Sequence, residues 1–159
     1  MQKIPLGSGL FATAALWNDH LFVAPINGKL QAYELTPSTA QFNLTSISSH
    51  TYGFPGATPS VSASGTQNGL VWALDTHSFC TQDASTCGAA VLHAYDAADV
   101  ATELWNSSTN AADAAGNAVK FAVPTVANGR VYVGTRGNNT GGADSSSSTP
   151  GELEIYGLK

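Results

Sequence analysis

Apolar residues in this 159-residue chain come in short runs, rich in Val, Leu, Tyr, Phe and Trp and closed by Gly, Asn, Asp or Pro. Such runs predict β-strands, because branched and aromatic side chains suit a pleated surface and the closing residues suit turns. Stretches 97–104 and 110–118 carry enough alanine to look helical. Neither repeats its apolar positions at the helical period, so turn and loop are expected there.

The runs recur as a unit. Two apolar strands flank a polar turn, and a third strand ends in tyrosine. The clearest copy is Pro124-Thr-Val-Ala-Asn-Gly-Arg-Val-Tyr-Val-Gly134 with Gly151-Glu-Leu-Glu-Ile-Tyr156. Ala14-Ala-Leu-Trp-Asn-Asp-His-Leu-Phe-Val-Ala24 with Gly28-Lys-Leu-Gln-Ala-Tyr33 is another. The middle copy joins Pro59-Ser-Val-Ser-Ala63, Asn68-Gly-Leu-Val-Trp-Ala73 and Ala90-Val-Leu-His-Ala-Tyr95. Repeated units of this size bury their apolar faces on one another, which makes the repeat the main guide to architecture. The expected strands lie near 12–17, 20–24, 29–35 and 40–46, then 57–62, 70–74, 90–96 and 102–106, then 121–126, 130–135 and 153–157. Asn128-Gly129 is a tight-hairpin signal, since both residues tolerate positive φ. Asn18-Asp19 holds the same place in the first unit, and Asn68-Gly69 in the second.

Composition narrows the function classes. Charged residues make up 11%, against about 25% in ordinary soluble domains. Ser, Thr, Asn and Gly carry the polarity instead, a profile that suits extracytoplasmic proteins. The six basic residues are scattered and the net charge is -5, so no nucleic-acid groove is expected. No apolar run approaches the ~18 residues of a membrane span. The first residues lack the apolar core of a signal peptide, and the expectation is the later part of a longer secreted, periplasmic or cell-surface protein. Cys80 and Cys87 sit in a polar loop. A metal or redox pair and a loop-pinning disulfide are both open, and the disulfide is favoured because zinc needs more ligands than His77 adds and the spacing is not Cys-x-x-Cys.

Ala94-Tyr-Asp-Ala-Ala-Asp-Val-Ala-Thr-Glu-Leu-Trp105 resembles the tryptophan-docking repeat of the quinoprotein, or PQQ-like, β-propellers. Ala94, Asp96, Asp99, Glu103 and Trp105 match its pattern, with one extra residue in the turn. The first unit departs from it, with Ala32, Glu34 and Phe42 at the matching places. The resemblance covers nearly the whole chain from Phe11. It implies an all-β fold: a partial β-propeller of just under three four-stranded antiparallel blades, at about 12–46, 57–106 and 121–157, in a single segment. Closed propellers have about 4–8 blades. The chain is therefore expected either to belong to a larger secreted bacterial propeller protein or to complete a ring by self-association.

In an up-and-down unit the links leave alternate sides. The short ones, at 18–19, 36–38, 63–68 and 127–129, share one side. The long ones, at 47–56, 76–88, 107–120 and 136–150, share the other, and function concentrates on loops held by a rigid scaffold. On that side His50, Tyr52, His77, Asp83, Asp113, Arg136, Asn138 and Asp144 are the candidate binding residues. The oxygen-rich run after Arg136 lacks the paired acids of calcium loops. His93 lies in a strand and is expected to be packed. Trp17, Trp72 and Trp105 are expected in the core or between blades. No catalytic motif is present: there is no His-Glu-x-x-His, Gly-x-Ser-x-Gly or phosphate loop. The leading expectation is a non-catalytic scaffold binding a protein or carbohydrate, with no cofactor. The alternatives are the C-terminal part of a PQQ-dependent dehydrogenase, in which PQQ with calcium would need further blades to complete the site, and a short subunit that assembles into a ring.

Overall fold

The computed structural model describes residues 1–79, 88–136 and 151–157. Its strands are β1 (Ala15–Trp17), β2 (His20–Val23), β3 (Gly28–Thr36), β4 (Gln41–Tyr52), β5 (Ser60–Ser64), β6 (Gln67–Asp75), β7 (Val91–Asp96), β8 (Glu103–Asn106), β9 (Thr125–Ala127), β10 (Arg130–Thr135) and β11 (Glu152–Gly157). They form three antiparallel sheets, β1–β4, β5–β8 and β9–β11, each in sequence order and none closed. The fold is all-β. The helical element among the described residues is one 3-10 turn, Ala111–Asp113, capped by the Asn110 side chain. No described helix is long and apolar enough to cross a membrane.

Two tight hairpins form as expected. Asn18 and Asp19 take φ of 45° and 63°, and Asn128 and Gly129 take 52° and 71°. The middle hairpin differs. Its link falls at Gly65-Thr66, and Asn68-Gly69 belongs to β6, where Asn68 keeps a φ of 54° beside a register shift between Ser62 and Ser64. A second difference is β4, which runs on to Tyr52 where a loop from Ile47 was expected. Its polar Ser-Ser-His-Thr sequence hides the strand because the pairing is irregular there. Between the pairs Lys29–Thr51 and Gln31–Ile47, Leu30 alone faces Ser48, Ser49 and His50. The Ser48 hydroxyl accepts the Leu30 N–H and donates to the His50 carbonyl, supplying bonds that the ladder lacks.

Each face of the middle sheet has its own neighbour. Val71, Ala73 and Tyr95 join Phe22, Leu30, Ala32 and Tyr52 of the first sheet in one core. Leu74 and Leu92, one position out of phase, join Val131 and Val133 of the third sheet in a second core, flanked by Trp72, Trp105 and Tyr156. The leading strands also approach one another, β1 to β5 and β5 to β9. Trp17 of β1 crosses to donate its indole N–H to Gly65 at 2.8 Å, and the Ser60 hydroxyl of β5 donates to the Pro124 carbonyl before β9.

The tyrosines that end each repeat are equivalent in register. Leu21 pairs with Tyr33, Val71 with Tyr95 and Val131 with Tyr156. Tyr95 packs toward the first sheet and Tyr156 toward the second. Tyr33 alternates with Ala32, which faces the second sheet, and so lies on the outer flank of the first. That flank also carries Leu16 and Leu44, both at least half exposed. The outer flank of the third sheet carries Tyr132, Leu153 and Ile155, of which Leu153 and Ile155 are more than half exposed.

Candidate functional site

The ends of β2, β4, β6 and β10 and the starts of the odd-numbered strands share one side of the molecule. The segments leading into β1, β5 and β9 converge there on a shallow cavity of about 260 Å³, lined by Phe11, Thr13, Gly56, Thr58, Thr76 and Phe121 among others. Phe11 and Phe121 are each 63% exposed. Phe11 meets Phe54 edge-on at 5.6 Å, Phe54 meets Phe79 at 6.0 Å, and the Lys120 ammonium sits 4.3 Å from the centre of the Phe79 ring. Exposed phenyl rings of this kind suit the apolar face of a ligand.

Next to Thr76 a polar cluster fills the seam between the first two sheets. β6 ends on Asp75, whose side chain is 4% exposed. Its carboxylate accepts from the His50 ring at 2.8 Å, from the His77 peptide N–H at 2.9 Å and from His77 Nδ1 at 3.0 Å. Burial alone would raise the Asp75 carboxyl, but these hydrogen bonds outweigh it and hold it below the usual carboxylate range. Gly53 lets the chain after β4 run against His77, since a Cβ there would lie 2.6 Å from the His77 Cβ.

His93, on the core face of β7, completes the cluster. It is stacked on His50 at 4.2 Å between ring centres and meets Tyr52 edge-on at 5.7 Å. His93 Nδ1 lies 2.9 Å from a Glu103 carboxylate oxygen, and that oxygen also accepts from the Asn106 amide at 2.7 Å. A ring nitrogen against a carboxylate carries the proton, so His93 Nε2 is left with its lone pair. That atom is buried and has no hydrogen-bond partner. Burial pushes the His93 imidazole below its ordinary pKa, with the Glu103 hydrogen bond opposing and His50 adding to the fall. The facing side of the cluster is closed by Tyr52 and Tyr95, whose hydroxyls are 3.0 Å apart. Burial raises Tyr95 to about 12 and Tyr52 well above its ordinary value, so both stay protonated. One ring nitrogen of His50, one of His93 and an Asp75 oxygen all lie within 4.8 Å of one another.

The sequence candidates are scattered across this picture. His50 and His77 meet at Asp75. Neither His50 nor Tyr52 is on a loop: both stand on β4, and Tyr52 is fully buried. Asp113 sits on the 3-10 turn, and the Arg136 peptide N–H donates to the Asn117 carbonyl. Neither is among the groups around Asp75. Asp83, Asn138, Asp144, Cys80 and Cys87 lie outside the described residues. Ala94, Asp96, Glu103 and Trp105 fall on the β7–β8 hairpin. Asp96 caps its turn by accepting the Ala98 N–H, Ala94 pairs with Trp105, and Trp105 meets Trp72 and Tyr156 edge-on at 6.5 and 5.6 Å. Asp75 and His93 were not among the candidates. Their signal was Asp two residues before His at a strand end, and a histidine in phase with Tyr95 on an inward face. No protein-family model, curated protein or solved structure matches the chain.

Proposed function

We propose that the three sheets are successive blades of a PQQ-like β-propeller and that the chain is a non-catalytic, extracytoplasmic binding scaffold. The equivalent packing of Tyr95 and Tyr156, each against the preceding sheet, supports the blade reading, as does the approach of β1, β5 and β9. On this reading the apolar flanks, Leu16 and Leu44 on one side and Leu153 and Ile155 on the other, are seats for neighbouring blades. They belong either to the same protein or to another copy.

The observation that carries the functional reading is the exposed phenyl group around the shallow cavity, on the side where the leading segments of all three sheets meet. Its rings would take the apolar face of a sugar or a protein side chain, with the threonine hydroxyls at the rim for orientation. The test is binding of the purified chain to glycan and peptide panels. Retained ligands should lose affinity in Phe121→Ser and Phe11→Ser and keep it in Asn128→Ser, on the opposite side. Calcium-dependent reduction of a dye by an alcohol with PQQ added would overturn the scaffold in favour of a dehydrogenase.

A further inference from the structure

We propose that His50, Asp75 and His93 form a binding site for a divalent transition-metal ion of the zinc class, set in the seam between the first two sheets. Two imidazoles and one carboxylate are a recurrent donor set for such ions when a fourth position is left to water or substrate. Three independent features prepare this one.

The first is His93 Nε2. It is a buried, unprotonated nitrogen without a hydrogen-bond partner, on a side chain only 6% exposed. A lone pair kept from both water and donors is costly unless something occupies it. The second is the outer arrangement. Glu103 takes the opposite ring N–H of His93 and is itself held by Asn106, so ring orientation and tautomer are fixed as they are behind metal-bound histidines. Asp75 is fixed in the same way by the peptide N–H and ring of His77, and Gly53 makes room for His77. The third is the bulge in β4, which sets three residues opposite Leu30 and brings His50 over His93. Bulges of this kind re-aim a side chain at functional sites.

Binding requires the two imidazoles, stacked with their planes 30° apart, to swing until their nitrogens aim at a common point. A tetrahedral zinc ion with bonds of ~2.0–2.1 Å holds its ligand atoms ~3.3 Å apart. The His50–Asp75 pair, at 2.8 Å, has to open slightly, and the His93 ring, one nitrogen of which lies within 4.8 Å of donor atoms of both, has to close on them through Nε2. Metal entry displaces the proton shared by His50 and Asp75 to solvent. His50, 31% exposed, marks the open side from which the ion and its fourth ligand enter.

Titration of the whole chain with Zn²⁺ and Co²⁺ tests this, with Cys80 and Cys87 alkylated so that no sulfur ligand competes. The expected result is one ion per chain with a dissociation constant below about 1 µM, and a visible Co²⁺ spectrum of a four- or five-coordinate ion. His93→Gln and His50→Gln should each weaken binding by about 100-fold or more, and Glu103→Gln, a positioning residue, by about 10-fold. His20→Gln should leave it unchanged. Near-ultraviolet circular dichroism in chelator establishes that each variant is folded. If His93→Gln is not, His50→Gln on the more open strand carries the test. Absence of saturable binding, a six-coordinate Co²⁺ spectrum, or affinity unchanged in the folded variants would overturn the site.

Discussion

Removing one hydroxyl from the Tyr52–Tyr95 pair is expected to have unequal effects. Tyr52 is fully buried and its hydroxyl relies on Tyr95, whereas the Ser48 hydroxyl is near enough to Tyr95 to oppose the rise of its pKa. Tyr95→Phe therefore strands a buried polar group, at a cost of ~1–3 kcal/mol, and Tyr52→Phe should cost less. Urea unfolding of both variants and of the double variant checks this. The double variant should be no worse than Tyr95→Phe alone, because no hydroxyl is then left unpaired. Tyr156 offers a pH test away from the histidine cluster. Burial, with Glu154 adding to it, raises its pKa above the ordinary 10.0. The neutral phenol is thus favoured by folding, and its contribution to stability is present below pH 10 and lost as pH rises through the folded value. Tyr156→Phe should unfold with a shallower loss of stability across that range when urea midpoints on either side of pH 10 are compared. His93 shows why residue-level reading of the sequence stopped short of the cluster. Its inward phase on β7 was legible and its packing was expected. Its facing partners come from β4 and β6, and only the packed sheets bring them within reach.

At the scale of elements, two glycines show how differently the same atom is excluded. Gly129 has a φ of 71° and open space around a would-be Cβ. Gly129→Ala should cost about 1 kcal/mol through backbone conformation alone. Gly69 has ordinary φ, but a Cβ there would lie 2.6 Å from the Trp17 ring and 2.8 Å from the Ala97 Cβ. Gly69→Ala should cost ~1–3 kcal/mol by forcing the first sheet off the second. It should also disturb the Trp17 fluorescence environment, which Gly129→Ala should leave alone. Thermal melts with emission spectra separate the two. Strands such as β10 and β11 were legible because alternation survives in Val131, Val133 and their partners. The far half of β4 was not, because its bulge breaks the alternation and polar residues occupy the places where a strand is usually read. The middle turn was misplaced for a related reason: Asn68-Gly69 has the residues of a hairpin, but the shorter link at Gly65 takes that role.

For the whole molecule, the repeat predicted the three sheets, and their packing adds a sense the sequence did not show: Tyr95 and Tyr156 each face the sheet before their own. The two outer flanks then remain apolar without any fault in the packing. Leu16→Lys combined with Ile155→Lys should leave the melting temperature within about 2 °C of the unsubstituted chain, since surface changes are usually within ~0.5 kcal/mol. The same pair should reduce self-association, measured by sedimentation over a range of concentrations. A melting temperature that falls sharply would mean that the flanks belong to the core of the isolated chain. The exposed phenyl rings at the mouth of the shallow cavity were not legible as a group, because Phe11, Phe54 and Phe121 come from three separate connecting segments.

Because Tyr95 and Tyr156 each press on the unit before their own, the joint between one sheet and the next has a direction, like a row of tiles laid with a common overlap. A gene with the middle tile duplicated in tandem would lengthen the row while leaving its two end surfaces as they were. Growth or trimming by whole units is thus the kind of change this architecture accommodates, whereas a unit laid in reverse would set two tyrosine faces against each other.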